Sequence, residues 1–431
     1  MTKKITGIIF IALISLLFLT TASAKGEKAL VSPALKVLAA NTDMAKAAVV
    51  GDNIGFTAED FERSLCVGNI ASITIEELPS ETDGKLMLGT AALSAAQSVS
   101  GDALDVLTFV PASEDVKSGS FVFSDGGGYS IRCNLYFIDK VNYSPTTSLA
   151  SESTLRLRTH DSVAKCGRLD AYDPEGDKII YEIVSYPTSG SVVLLDRESG
   201  SYIYTPSEKY TGNDSFSYVA RDIYGNYSAK ASVDVSVRAR QTSAVFGDIY
   251  DCDTYNAALT MAENSLMEGT NTDGTVYFVP TQTISRAEFL TTAMKAAGMT
   301  VPTNAEIPVF DDDADIAGEY KNYVGAAYRL GFINGSEIDG KLCFLPNASI
   351  TRAEAAVMLD KILSETKSVS TPVVLPVFAD TDDVPAWASE AVRTMHSLGV
   401  IDDKSGYVSP EGLVTRGDAA KMFEAVIELC E

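Results

Sequence analysis

The chain has 431 residues, with 58 acidic against 34 basic side chains and a formal net charge of −24. Such an excess of acid argues against nucleic acid or an anionic membrane surface as partner, because both are held by basic patches. The length gives room for about three domains. Two histidines and six cysteines leave little material for histidine-based catalysis, and they do not suggest a disulfide scaffold.

The N-terminus carries Lys3 and Lys4, an apolar run over residues 8–19, then Ala22-Ser23-Ala24. Residues 1–24 therefore read as a secretory signal. The run is too short to span a bilayer, so no membrane insertion is expected. Removing the signal makes the net charge about −26, since Lys3 and Lys4 leave and no acid does. No cysteine follows the cleavage point and the last residues, Glu428-Leu429-Cys430-Glu431, form no covalent sorting signal. A non-covalent attachment is the expectation that remains. Residues 25–42 are small and alanine-rich and read as a linker.

Residues 43–141 predict strands. Ile131, Cys133, Leu135 and Phe137 alternate with Arg132, Asn134 and Tyr136, the pattern of a half-buried strand. Residues 73–75, 86–88 and 121–123 predict further short strands. Residues 142–238 repeat the theme, with strands expected at 178–184, 191–195, 201–204, 215–220 and 231–237 and a turn at Asp173-Pro174-Glu175-Gly176-Asp177. The two stretches also align with each other. Phe109-Val110-Pro111 matches Tyr204-Thr205-Pro206, and Ser120-Phe121 matches Ser215-Phe216, both 95 residues apart. Two tandem β-sandwiches follow. With Gly190-Ser191-Val192 and Tyr210-Thr211-Gly212-Asn213-Asp214-Ser215-Phe216, the second copy resembles the bacterial cadherin-like and immunoglobulin-like repeats of surface proteins; the first is a degenerate relative. The resemblance implies stalks and adhesive spacers. Asp170, Asp173, Asp177 and Asp222 offer oxygens of the kind calcium takes. No complete ligand loop is visible, however, and turn formation accounts for these residues. No cofactor is expected.

The C-terminal half repeats. Ile284-Ser285-Arg286-Ala287-Glu288, Ile350-Thr351-Arg352-Ala353-Glu354 and Val414-Thr415-Arg416-Gly417-Asp418 place arginines 66 and 64 residues apart. Recurrence at such a period marks stacked supersecondary units. The hydroxyl and the acid three residues on form a capping box, so they start a helix. The arginine between them is not explained by capping. A cation in a first helical turn sits at the positive end of the dipole, and three at one register suggest that each meets an anion. Each unit opens with Phe246-Gly247-Asp248, Phe310-Asp311-Asp312 or Phe378-Ala379-Asp380. A helix follows, as at 388–398. In the second and third units a glycine-led turn comes next, Gly331-Phe332-Ile333-Asn334-Gly335 and Gly399-Val400-Ile401-Asp402-Asp403.

In this order the motifs resemble three S-layer homology (SLH) domains, at 246–298, 310–363 and 378–429. The resemblance implies an all-α pseudo-threefold helical bundle. It also implies non-covalent attachment to secondary cell-wall polysaccharide, often pyruvylated and so anionic. By that resemblance Arg286, Arg352 and Arg416 contact polysaccharide, with Trp387, Asp248, Asp312 and Asp380 as further candidates. An arginine fork suits a carboxylate through two parallel charge-assisted bonds. There are departures. The helix-leading tryptophan occurs only as Trp387, Ser265 replaces a turn glycine, and Arg416-Gly417-Asp418 replaces Arg-Ala-Glu.

Cys66 and Cys133 share one candidate domain and could pair. Cys166 has no evident partner, and Cys252, Cys343 and Cys430 fall at non-equivalent repeat positions whose spacing fits no zinc site. His160 and His396 lie in different domains. No nucleophile elbow, phosphate loop or His-Glu-x-x-His occurs, so no catalytic residue is expected. The reading is a multidomain chain of two all-β sandwiches followed by the helical repeats. It would be secreted to a bacterial cell wall or S-layer as a lattice component or adhesin, with self-association there an open alternative. A wall-bound glycan-binding subunit or hydrolase is the other reading.

Overall fold

The computed structural model describes residues 43–65, 67–128, 130–147, 155–302, 310–366, 378–403 and 406–431. The expected signal, the linker and Cys66 lie outside them. The described chain falls into two compact units. One comprises residues up to Thr146 with Tyr172–Ile179 and Arg221–Ser228; the other comprises Thr147–Ala171, Ile180–Ala220 and Ala229–Glu431.

The first unit holds strands β1 (Met44–Val49), β2 (Ile54–Gly55), β3 (Ser72–Glu77), β4 (Gly84–Leu88), β5 (Ala91–Ala92), β6 (Ser98–Ser100), β7 (Leu107–Pro111), β8 (Ser118–Ser124) and β9 (Ser130–Ile138). One sheet runs β1-β9-β8-β3-β6 and the other β2-β7-β4-β5. Strand β1 pairs parallel to β9, while β9 and β8 are antiparallel. Ile73, Phe121, Ile131, Cys133 and Leu135 of one sheet share a core with Ile54, Leu86 and Phe109 of the other. Alternation along β9 puts its apolar residues into that core, as the sequence predicts. A helix interrupts the all-β expectation. In α1 (Ala58–Leu65) Phe61 is fully buried, with its ring 4.9 Å from that of Phe123. The helix starts because Asp60 accepts the Thr57 N–H, a capping pattern within a strand-rich stretch.

The second unit joins a sandwich to the helices. Its strands are β10 (Leu155–His160), β11 (Lys165–Arg168), β12 (Ile179–Ser185), β13 (Gly190–Asp196), β14 (Ser201–Pro206), β15 (Gly212–Asp222) and β16 (Ala231–Arg238). They form sheets β10-β16-β15-β12 and β11-β14-β13, which meet where Tyr202 and Phe216 stack edge to face at 5.1 Å. Strands β10 and β11 precede the first strand that the sequence pattern suggests.

The helical part contains α2 (Cys252–Glu263), α3 (Arg286–Ala296), α4 (Gly318–Arg329), α5 (Arg352–Thr366), α6 (Ser389–Ser397) and α7 (Arg416–Cys430). It is not purely helical. Strands β17 (Thr270–Thr272) and β18 (Thr275–Tyr277) form one hairpin, and β19 (Ser336–Ile338) and β20 (Lys341–Cys343) another. Between the first and second helix of a repeat, the chain must reverse and still supply hydrogen bonds for its backbone. The hairpin does this where a bare loop was expected.

The segments before α3, α5 and α7 interlock. The Ile284 N–H donates to the Val414 carbonyl, Val414 to Ile350, and Ile350 to Ile284, at 3.1, 2.9 and 3.3 Å. All three side chains are fully buried. The cycle closes on itself, so each segment satisfies its backbone only through the other two. Gly417 shows how tight the packing is: a Cβ there would lie 3.1 Å from the Pro280 carbonyl oxygen and 3.3 Å from Thr254.

The structure supplies a partner for Cys166 that the sequence did not suggest: it is disulfide-bonded to Cys252. Cys133 is a buried free thiol.

Candidate functional site

Ser285 and Thr415 cap α3 and α7 by accepting the N–H of Glu288 and of Asp418, and Thr351 does the same for Glu354. The chain therefore enters each helix in one geometry, which throws the following arginine toward a neighbouring repeat. Arg286 Nε donates to the Phe344 carbonyl, Arg352 Nε to Val408 and Arg416 Nε to Phe278, at 3.2, 2.7 and 3.0 Å. These loops are fixed from within their own repeat. Asp248 accepts the N–H groups of Phe278 and Val279, Asp312 those of Phe344 and Leu345, and Asp380 those of Val408 and Ser409. The aspartates expected at a binding surface thus have both carboxylate oxygens engaged with backbone.

The anion that each arginine meets is internal. Arg286 pairs with Glu354 at 2.8 Å and Arg416 with Glu288 at 3.0 Å. By the same rotation Arg352 would meet Asp418. It does not, because aspartate is one methylene shorter and Asp418 is folded back on Thr415 and faces Lys421. Arg352 turns instead to Asp402, bonding both its carbonyl and, at 3.1 Å, its carboxylate. Burial opposes ionisation of Asp402, but Lys421 and Arg352 prevail and hold its carboxyl below the usual range.

The three arginines differ further. The guanidinium of Arg286 lies over Phe344 and that of Arg416 over Phe278, at 5.6 and 5.0 Å. At the third position Val408 replaces the ring. The Arg352 side chain is only 8% exposed and the Asp402 side chain 49%, whereas Glu354 and Glu288, the partners of Arg286 and Arg416, are 34% and 32% exposed. Trp387 stands out into solvent at 61% exposure.

The other sequence candidates are turn and packing residues. Asp173 accepts the N–H groups of Glu175 and Asp177 through one oxygen, although its second oxygen is buried without a partner. Asp222 accepts from Tyr224, Asn226 and Asn142. His396 bonds Asp403 and packs on Phe378. His160 is buried between Asn256 and Glu263.

Comparison with known proteins fits this layout. The bacterial Ig domain model matches residues 139–237, and the S-layer homology domain model matches 309–356 and 377–420. The stretch 246–298 lies outside these matches. The surface-layer 125 kDa protein of Lysinibacillus sphaericus is 28% identical over 176 residues, 40% of this chain but only 14% of its own length. Among solved structures, the human CDH23 EC21-23 fragment matches at 15% identity, covering 45% of this chain and 64% of that one, with a TM-score of 0.20. The fibronectin(III)-like modules of Clostridium thermocellum CbhA match at 14%, covering 48% and 97%, with a TM-score of 0.21. Scores this low carry no argument. No described helix is long and apolar enough to cross a membrane. The chain carries a bacterial Ig domain and S-layer homology segments, and it is a secreted protein of the cell wall or S-layer.

Proposed function

We propose that the three helical repeats anchor the chain non-covalently to an anionic secondary wall polysaccharide, and that the β-sandwiches serve as spacer or adhesive domains. The observation that carries this reading is the row of arginines at the repeat boundaries, each already organised to hold a carboxylate. Arg286 and Arg416 are the polymer contacts in this reading. Their internal partners Glu354 and Glu288 are partly exposed, and an acidic group on the polymer replaces them on the guanidinium. Arg352, the least exposed of the three side chains at 8% against 11% and 15%, serves the fold. Trp387 offers a face on which a sugar ring can stack. No catalytic role is assigned.

The test is sedimentation of the full chain with purified cell walls, before and after removal of the wall polysaccharide. Arg286→Ala/Arg416→Ala should lose binding to intact walls while keeping native circular dichroism. Glu288→Gln/Glu354→Gln, which removes the competing carboxylates, should bind more tightly. Full binding by the folded arginine variant, or binding to stripped walls, overturns the assignment.

A further inference from the structure

The second sandwich is not simply tethered to the helices. Within their shared compact unit it is seated on α2 and α7 by groups that occur once each. Asn256 of α2 is fully buried. Its carbonyl oxygen accepts from the Thr159 hydroxyl and the His160 N–H, and its amide donates to the carbonyls of Ala164 and Cys252. His160 faces Glu263 at 3.1 Å. Lys165 on β11 reaches Glu424 on α7 at 2.6 Å, and the other oxygen of Glu424 accepts from Thr260 on α2. Val163 joins the helical core. Beside these contacts Cys166 of β11 is bonded to Cys252, the first residue of α2, and the Cys166 N–H donates to Asp253.

The bond is placed to be reached. Cys166 and Cys252 are both only half-buried. Cys166 also lines a cavity of about 270 Å³, together with Lys165, Asp253, Lys421 and Glu424.

We propose that Cys166–Cys252 is a redox-controlled lock on the seam between the second sandwich and the helical unit. The chemistry needs a dithiol reductant. Its thiolate attacks one sulfur, the S–S bond breaks and a mixed disulfide forms. The reductant's second thiol then displaces it. Two electrons and two protons end on Cys166 and Cys252 as thiols, and the reductant leaves as its own disulfide. Reduction removes the covalent tie between β11 and the start of α2 and leaves the Cys166 N–H bond to Asp253 as the link there. The repeats stay folded, because their backbone closure does not involve either cysteine. Oxidised, the sandwich and the helices move as one body; reduced, the sandwich gains freedom at its base.

The experiment uses the intact chain with dithiothreitol as probe, read by site-resolved thiol alkylation and hydrogen exchange under native conditions. Without reductant, Cys166 and Cys252 should resist iodoacetamide while Cys343 and Cys430 react. With millimolar dithiothreitol both should become alkylated, and exchange should rise at least tenfold across β11 and the first turn of α2, with α3 and α5 unchanged. Cys166→Ser/Cys252→Ser should reproduce the reduced pattern without reductant. Alkylation of the pair before reduction, resistance to reductant until the chain is denatured, unchanged exchange after reduction, or loss of protection throughout α3 and α5 would each overturn the proposal.

Discussion

At the centre of the helical region, Ile284, Ile350 and Val414 close a ring of backbone hydrogen bonds, and residues at matching register do one job three times. At the seam with the second sandwich there is no register: Asn256, Lys165 and Cys166 each act once. The ring is fully buried and the seam only partly so, and they fail differently when altered. The centre fails through backbone groups that lose their only partner, while the seam fails through charges and polar atoms held away from water. The lesson is that repetition gives the ring no spare: each copy is the partner of the next, and its loss is felt as directly as that of a unique contact.

The largest expected effect is at the centre. Arg352→Ala strands the carbonyls of Val408 and Asp402, and an acceptor left without its partner costs about 1–3 kcal/mol each. Arg286→Ala strands one carbonyl, that of Phe344, and should cost about half as much. Denaturant unfolding of both variants checks the order. Equal costs would mean that the three boundaries are equivalent after all.

The seam answers through pH. Burial, and then the neighbouring Glu424, push the carboxyl of Glu428 up to about 7, against the pull of Lys165, Arg158 and Arg238. Its folded value lies above its unfolded one, so this group's favourable contribution is complete below about pH 4.5 and is lost as pH rises through 7. Glu428→Gln stays neutral throughout. It should stabilise the second unit by about 2–3 kcal/mol at pH 8, and the gain should shrink toward nothing near pH 5. Thermal melts at the two pH values decide it, and a gain that does not depend on pH would remove the charge argument.

The smallest effect tests the repeated caps. Thr415 and Asp418 bond each other's backbone reciprocally, whereas Ser285 caps α3 one way. Thr415→Ala should cost about 1 kcal/mol and Ser285→Ala somewhat less. Chemical melts of the two variants compare them.

The same contrast explains what the sequence could show. The caps, the opening Phe-x-Asp motifs and the alternation along β9 are local patterns with a period, and periodic patterns are visible in one chain. The arginine register was visible too, but its partner was not: whether Arg352 reaches Asp402 or Asp418 turns on one methylene and on a loop brought close by folding. Helix α1 lay hidden because Thr57 and Asp60 make a capping pair inside a strand-rich stretch. The Cys166–Cys252 bond spans 86 residues with no repeat to announce it. Asn256 looks like any helical asparagine until Thr159, His160 and Ala164 from one distant segment converge on it.

The ring at Ile284, Ile350 and Val414 also has a consequence for how such a chain can change over time. An open stack of repeats can be lengthened or shortened by a unit, since each new face simply covers the last. A closed ring cannot. A fourth segment would have no free N–H or carbonyl at the axis to join, and a lost one would leave two segments with nothing to complete their circuit. Duplication or deletion of a single unit therefore requires the ring to open and close again at another size, whereas variation in the loops leaves it intact.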